Sequence, residues 1–203
     1  MAAATRRWKP PWGDRGEANW NGGRRRVPVP FPDGSGRGEI AADALVHASP
    51  ESVFEFLSDL DSHWRLAGPC IEILSLDGRP GVRDGGTVRV RGPLGLRRTA
   101  TTRVLAASPP RQMVGRAEIG RRTKARVRWV LESRGQATAV RLSATIEGAG
   151  TLDGLLLRLG GRRWLRRLFI AALGRLADHF ASRSSQVLGR QRAMSRAAAP
   201  TRA

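Results

Sequence analysis

The sequence predicts an α+β domain in which a curved antiparallel sheet of about seven strands wraps around a long C-terminal helix. Two patterns predict this fold. Between residues 39 and 147, short segments alternate polar and apolar side chains and are joined by short turns, as in neighbouring antiparallel strands. After residue 151 the apolar side chains recur at helical spacing instead. The predicted domain covers residues 39–188.

The first elements can be placed from alternation and capping residues. Residues 39–48 alternate loosely and predict the first strand. Ser49 then suits the N-cap of a helix, and Pro50 suits its first position. A second short helix or turn is expected over residues 59–67, with Asp61 as its cap.

Six further strands and the long helix follow. The strands are predicted at residues 70–76, 85–91, 97–106, 112–119, 124–133 and 138–147. The helix begins at Thr151. Gly160 and Gly161 are expected to kink or break it, because each glycine costs about 1 kcal/mol in a helix interior. The uninterrupted part is predicted to run over residues 162–188.

Neither the alternation typical of strands nor the apolar spacing typical of helices continues into the two ends of the chain. Residues 1–38 contain prolines, glycines, arginines and three tryptophans, and they predict a disordered basic segment. Two alternatives remain open: a basic arm that touches an acidic surface, or a natural start further along, for example at Val27. Residues 189–203 are predicted to be a disordered basic tail.

The composition bounds the class of protein. The net charge is +19, but only Lys9 and Lys124 among the basic residues are lysines, and tyrosine is absent, which is typical of a GC-rich genome. Part of the charge is therefore attributed to coding bias rather than to nucleic-acid binding. No charge-free apolar stretch is long enough to span a membrane, and no secretory signal is recognised. The single cysteine, Cys70, excludes an internal disulfide, and the sequence predicts a cytoplasmic protein.

The inward face of the predicted sheet mixes large and very small side chains. Alternation assigns one face to apolar residues and the other mainly to arginines. Because the small residues leave volume under the helix, a ligand cavity is expected there. Its predicted lining is Trp64, Val88, Val90, Ala100, Thr102, Met113, Gly115, Ala117, Val127, Trp129, Leu142, Ala144, Leu165, Phe169 and Leu173.

The stretch VHASPESVFEFLSDLDSHWRL, residues 46–66, resembles the start of proteins in the SRPBCC superfamily, the START-like and polyketide cyclase/dehydrase group. The matching positions are Ala48, Pro50, Val53, Phe54, Leu57 and Trp64. Residues 86–114 are similar to the family's middle strands. The resemblance implies the helix-grip fold, with two short helices after the first strand, and a cavity for lipids, sterols, polyketides or similar molecules. Some members catalyse cyclisation or dehydration, so fold is implied more strongly than chemistry.

Few residues could carry catalysis. His63, next to Trp64, is a candidate general base, with a surface or capping histidine as the alternative. His47 is predicted to face outward, and His179 lies late on the helix. Cys70 suits a small buried apolar residue better than a reactive thiol. The scattered histidines have no metal-ligand spacing, so neither a metal nor a cofactor is predicted.

Three functions follow from these observations. The first is binding of a small hydrophobic ligand without catalysis. The second is a polyketide cyclase or dehydratase-like enzyme, which would need a titratable group in the cavity. The third is a basic surface that contacts anionic membrane lipid or nucleic acid; nucleic acid is less favoured because interleaved aromatic residues are lacking.

Overall fold

The computed structural model describes residues 39–197, apart from residues 80–82, 93–94 and 121. The predicted segment 1–38, with the possible start at Val27, and the last residues of the predicted tail, 198–203, lie outside the described residues. Between these limits the chain forms an antiparallel sheet, short helices after the first strand, and a long C-terminal helix. This is the predicted helix-grip fold, which is confirmed.

The seven-stranded sheet has the order β1-β7-β6-β5-β4-β3-β2. The strands are β1 Glu39–Val46, β2 Ile71–Asp77, β3 Gly85–Arg91, β4 Arg97–Ser108, β5 Gln112–Ile119, β6 Thr123–Arg134 and β7 Ala137–Gly148. All neighbours are antiparallel. The strands from β2 to β7 form a meander, and β1 pairs with the last of them, as the short connections require.

Within the described residues, four helices and two irregular helical turns accompany the sheet. The helices are α1 Pro50–Ser58, α2 Leu60–His63, α3 Thr151–Leu156 and α4 Arg162–Ala197. A 3₁₀ segment, Trp64–Cys70, follows α2, and a π-helical turn, Leu157–Gly161, joins α3 to α4. The backbone of α4 thus continues past Leu188, where its apolar stripe was predicted to end.

Of the two predicted helix caps, the structure confirms one and replaces the other. Ser49 caps α1, and its hydroxyl accepts a hydrogen bond from the Ser52 amide at 3.3 Å. The predicted cap of α2, Asp61, is wrong, because the carboxylate of Asp59 accepts the Asp61 amide instead. Asp61 forms an ion pair with Arg83 at 3.0 Å.

The predicted break at the paired glycines is confirmed. Gly160 adopts a φ of 119°, a left-handed region that favours glycine, so the helix cannot continue regularly through it. At Gly161 a side chain would meet the carbonyl oxygen of Leu156 at 2.7 Å. The C-terminal helical region therefore turns between α3 and α4, and the two helices cover different parts of the sheet.

The solid core lies under one half of the sheet. Leu57 of α1, Leu173 and Leu176 of α4, and Val46 and Val140 of β1 and β7 are almost completely buried. These residues join α1 and α4 to the β1–β7 end of the sheet. The strands β3 to β5 and the residues of α3 and the first turns of α4 instead border a shared cavity.

Candidate ligand cavity

A cavity of about 330 Å³ lies between the sheet and the C-terminal helices. Strands β3 to β7 supply one wall, the 3₁₀ segment supplies a second, and α3, the π-helical turn and the start of α4 supply the cover. Its size is within the range of about 300–1,000 Å³ that is common for small-molecule sites. The cavity therefore has room for a ligand larger than a few waters.

Most of the residues predicted from the sequence meet at this cavity. Those that line it are Trp64, Val88, Val90, Thr102, Met113, Gly115, Ala117, Val127, Trp129, Leu142, Ala144, Leu165 and Phe169. Ala100 and Leu173 do not border the cavity, and they are 3% and 1% exposed. Ala100 lies on β4 between Arg98 and Thr102, which do line the cavity, and Leu173 belongs to the packed core cluster.

The empty space follows from small residues on neighbouring strands. Ala117 of β5 lies directly opposite Ala125 of β6, and both line the cavity. One register step along, Gly115 lies opposite Val127. No side chain larger than valine reaches from these two pairs toward α4. Because protein interiors otherwise fill to a density of about 0.75, this cluster creates the space.

Part of the lining was not identified from the sequence. Leu156, Leu157, Trp164 and Leu168 face the cavity from the two C-terminal helices and the turn between them. Their helical spacing was visible, but which face meets the sheet after the turn at Gly160 depends on the geometry of that turn.

His63 is at the junction of α2 and the cavity. Its Nδ1 lies 3.0 Å from the carbonyl oxygen of Leu57, in the last turn of α1. Its ring packs edge-on against Trp64 and Trp129, with centroids 5.6 and 5.3 Å away. The residue therefore caps the end of α1, as one of the two interpretations predicted, and it also lines the cavity.

The environment of His63 makes the imidazole neutral. Burial lowers its pKa from 6.5 to about 4, although the hydrogen bond to the Leu57 carbonyl acts in the opposite direction. Because a carbonyl oxygen only accepts, Nδ1 carries the proton and Nε2 keeps its lone pair. Nε2 has no hydrogen-bond partner among the described residues.

A polar clasp closes the end of the cavity beneath α3. The carboxylate of Asp153 accepts a hydrogen bond from the Arg98 guanidinium at 2.8 Å and another from the Thr123 hydroxyl. The same hydroxyl accepts the Gly150 amide at 3.0 Å. These contacts attach α3 to β4 and β6, and all three side chains border the cavity.

A second contact fixes the 3₁₀ wall. Arg175 of α4 donates a hydrogen bond to the Leu66 carbonyl at 2.8 Å. Its guanidinium lies against Gly68, whose φ is 62° and where a Cβ would come within 2.6 Å of the guanidinium. This contact holds the segment that carries Trp64 in place against the long helix.

The other reactive residues named from the sequence lie away from the cavity. His179 packs against Phe56 and Phe180 at centroid distances of 4.5 and 5.2 Å, and burial, followed by the charge of Arg183, lowers its pKa. Cys70 is half-buried and does not line the cavity. His47, just after β1, is exposed, as predicted.

Among the described residues, no group of three or more His, Cys, Asp or Glu side chains could hold a metal ion. No helix within the described ranges is both long and apolar enough to cross a bilayer.

Comparison with known proteins places the chain in a family context. One family model, described as polyketide cyclase / dehydrase and lipid transport, matches residues 37–181. No curated protein has a significant match to this sequence.

Solved structures show the same fold. Protein TTHA0849 from Thermus thermophilus is 20% identical, with a TM-score of 0.58 over 72% of this chain and 99% of that one. A START superfamily protein from Mycobacterium smegmatis is also 20% identical, with a TM-score of 0.51 over 68% and 97% of the two chains. Protein Ms6760 from the same organism is 14% identical, with a TM-score of 0.53 over 69% and 88%. At these identities the likeness shows the fold alone.

Proposed function

Since the chain belongs to the polyketide cyclase/dehydrase and lipid transport family, we propose that it binds a small apolar molecule in the cavity without transforming it. The family match confirms the resemblance drawn from residues 46–66. The observation that carries the proposal is the cavity of about 330 Å³ with predominantly apolar walls. Such walls favour a ligand that leaves water for an apolar site.

The polar groups of the lining support binding more than catalysis. Asp153 is held by Arg98 and Thr123, and Asp84 lies 3.9 Å from the Arg103 guanidinium. Asp153, which is 18% exposed, is thus engaged with a cation and a hydroxyl, whereas Asp84 and Arg103 form a long, largely exposed pair.

His63 fits the role of a hydrogen-bond acceptor better than that of a general base. A general base works best when its pKa is close to the working pH, and a pKa of about 4 is far below neutrality. A neutral Nε2 can still accept a hydrogen bond from a ligand hydroxyl. The proposed ligand is therefore largely apolar, with one hydroxyl near Trp64 and Trp129.

A displacement assay tests the proposal. A fluorescent fatty acid should bind the purified, solvent-extracted protein and be excited by energy transfer from the cavity tryptophans. Ala125→Phe should abolish this binding because it places a ring in the open space. Leu105→Phe is the matched control, since Leu105 is 46% exposed and does not border the cavity. Equal binding by both variants would show that the probe binds elsewhere and would contradict the proposal.

A further inference from the structure

The outer side of the cavity cover carries exposed leucines. This covering segment, residues 151–161, presents Leu152, Leu155 and Leu159, which are 53%, 53% and 75% exposed. Their spacing of three and four residues brings them to one side of the helical turn. On the other side of the same segment, Leu156 and Leu157 line the cavity. The covering segment is thus apolar on both faces, and only one face is used inside the folded chain.

The basic residues of the sheet are mostly neutralised by neighbours. Arg126 pairs with Glu147 at 2.7 Å and Arg89 with Glu72 at 3.2 Å. Six more cations on the strands have a carboxylate within 4.0 Å: Arg98, Arg103, Arg116, Lys124, Arg134 and Arg141. The convex face of the sheet is therefore less positive than its arginine content suggests.

The arginines next to the exposed leucines differ in this respect. Within the described part of the chain, no carboxylate forms an ion pair with Arg158, Arg163, Arg166 or Arg167. All four residues are exposed. Positive charge without an ion-pair partner thus lies beside the covering segment.

We propose that the covering segment and the first turns of α4 dock onto an anionic lipid bilayer. The leucines would enter the boundary between headgroups and acyl chains, and the unpaired guanidinium groups would bind lipid phosphates. Leucines and arginines are adjacent on this surface, as they are on amphipathic helices that lie at membrane surfaces.

Two other partners fit this surface less well. A nucleic acid would use the arginines but not the three leucines, and none of the exposed residues from 151 to 163 is aromatic, as base stacking would require. A second copy of the chain could cover the leucines, but it would bring two sets of unpaired arginines together. Of these three partners, the bilayer is the one that uses both the leucines and the arginines.

Docking would also affect the cavity, a consequence that rests on the proposed ligand-binding function. The covering segment is attached to the sheet mainly through Asp153, which bonds to Arg98 and Thr123. A bilayer that holds the outer leucines would draw this segment away from the cavity. A ligand could then pass between the lipid and the cavity without crossing water.

Flotation of the full chain with vesicles tests the docking. We expect binding to phosphatidylcholine vesicles that contain phosphatidylglycerol, and little binding to phosphatidylcholine alone. The combined change Leu152→Asn, Leu155→Asn and Leu159→Asn should weaken binding about tenfold or more. The matched control is Leu45→Asn with Leu105→Asn, since these leucines are 51% and 46% exposed on strands far from the covering segment in sequence. The control should bind as the unchanged protein does.

A second variant separates charge from insertion. Arg158→Gln with Arg163→Gln should reduce binding and flatten its dependence on salt, because two lipid-phosphate contacts are lost. Three results would overturn the proposal: no binding to anionic vesicles, equal loss in the leucine variant and its control, or preferential binding to single-stranded nucleic acid that the leucine variant retains. Fatty acid binding measured without vesicles reports the cavity separately, so failure of docking and failure of ligand binding can be distinguished.

Discussion

Replacing Ala117 by leucine tests whether the cavity is open space in the folded protein. Ala117 faces Ala125 across β5 and β6, and both border the cavity of about 330 Å³. Leucine adds three carbon groups, each worth about 0.8 kcal/mol when it is buried from water. If these groups enter existing space, the free energy of unfolding of the ligand-free protein should rise by about 2 kcal/mol.

Ala42→Leu provides the matched control. Ala42 of β1 is also a small inward residue of the sheet, but it is 5% exposed, belongs to the packed core cluster and does not border the cavity. The same added groups would then crowd a filled core, which costs about 1–3 kcal/mol. The two alanine-to-leucine changes are therefore expected to shift stability in opposite directions.

Urea denaturation of solvent-extracted protein measures both changes, with an unchanged m-value as the condition for comparing midpoints. Binding of the fluorescent fatty acid should fall in Ala117→Leu and persist in Ala42→Leu. If Ala117→Leu destabilises the protein as much as Ala42→Leu does, while the probe still binds, the space beside Ala117 is not a cavity and the reasoning fails.

Two further predictions concern His63 and the clasp. Because the pKa of His63 falls from 6.5 to about 4 on folding, the unfolded chain binds more protons between these values, and the free energy of unfolding should drop by about 3 kcal/mol as the pH falls through this window. His63→Gln should remove that part of the pH dependence in calorimetry, and identical pH profiles would disprove the enclosed ring. Asp153→Asn weakens the charged hydrogen bond to Arg98, so release of the bound probe should become about tenfold faster in stopped flow. Glu132→Gln, at an exposed ion pair, should leave the release rate unchanged, and equal effects of the two changes would refute the role of the clasp.

The sheet could be predicted from the sequence because strand alternation is a local geometric rule. A residue on β5 such as Met113 is assigned to the inward face by its neighbours alone, and the structure buries it as expected. The same rule is interrupted on β4, where the register with β5 shifts between Val104 and Ala106 and leaves Leu105 exposed. Local alternation gives no sign of such a bulge.

The division between packed core and cavity could not be predicted in the same way. Ala42 and Ala117 are both small inward residues, and only the path of α4 over the sheet decides which one borders the cavity. The contact between Arg98 and Asp153 in the polar clasp could not be predicted either, since the two residues are 55 positions apart in the chain. For His63, the sequence allowed either a general base or a helix cap. Only the distance from its ring to the Leu57 carbonyl identifies it as the cap.

An empty apolar cavity of this size has an energetic consequence for the protein itself. At about 24 cal/mol per Å³, a dry cavity of 330 Å³ lowers the free energy of unfolding by at most about 8 kcal/mol, and by less where water enters it. Small domains have a net stability of about 5–15 kcal/mol, so even part of that cost is a large fraction of the total.

A ligand present at a hundred times its dissociation constant would add about 2.7 kcal/mol to the free energy of unfolding. Filling the cavity, by a bound molecule or by Ala117→Leu, should therefore stabilise the same fold, and binding and stability are linked through one set of residues.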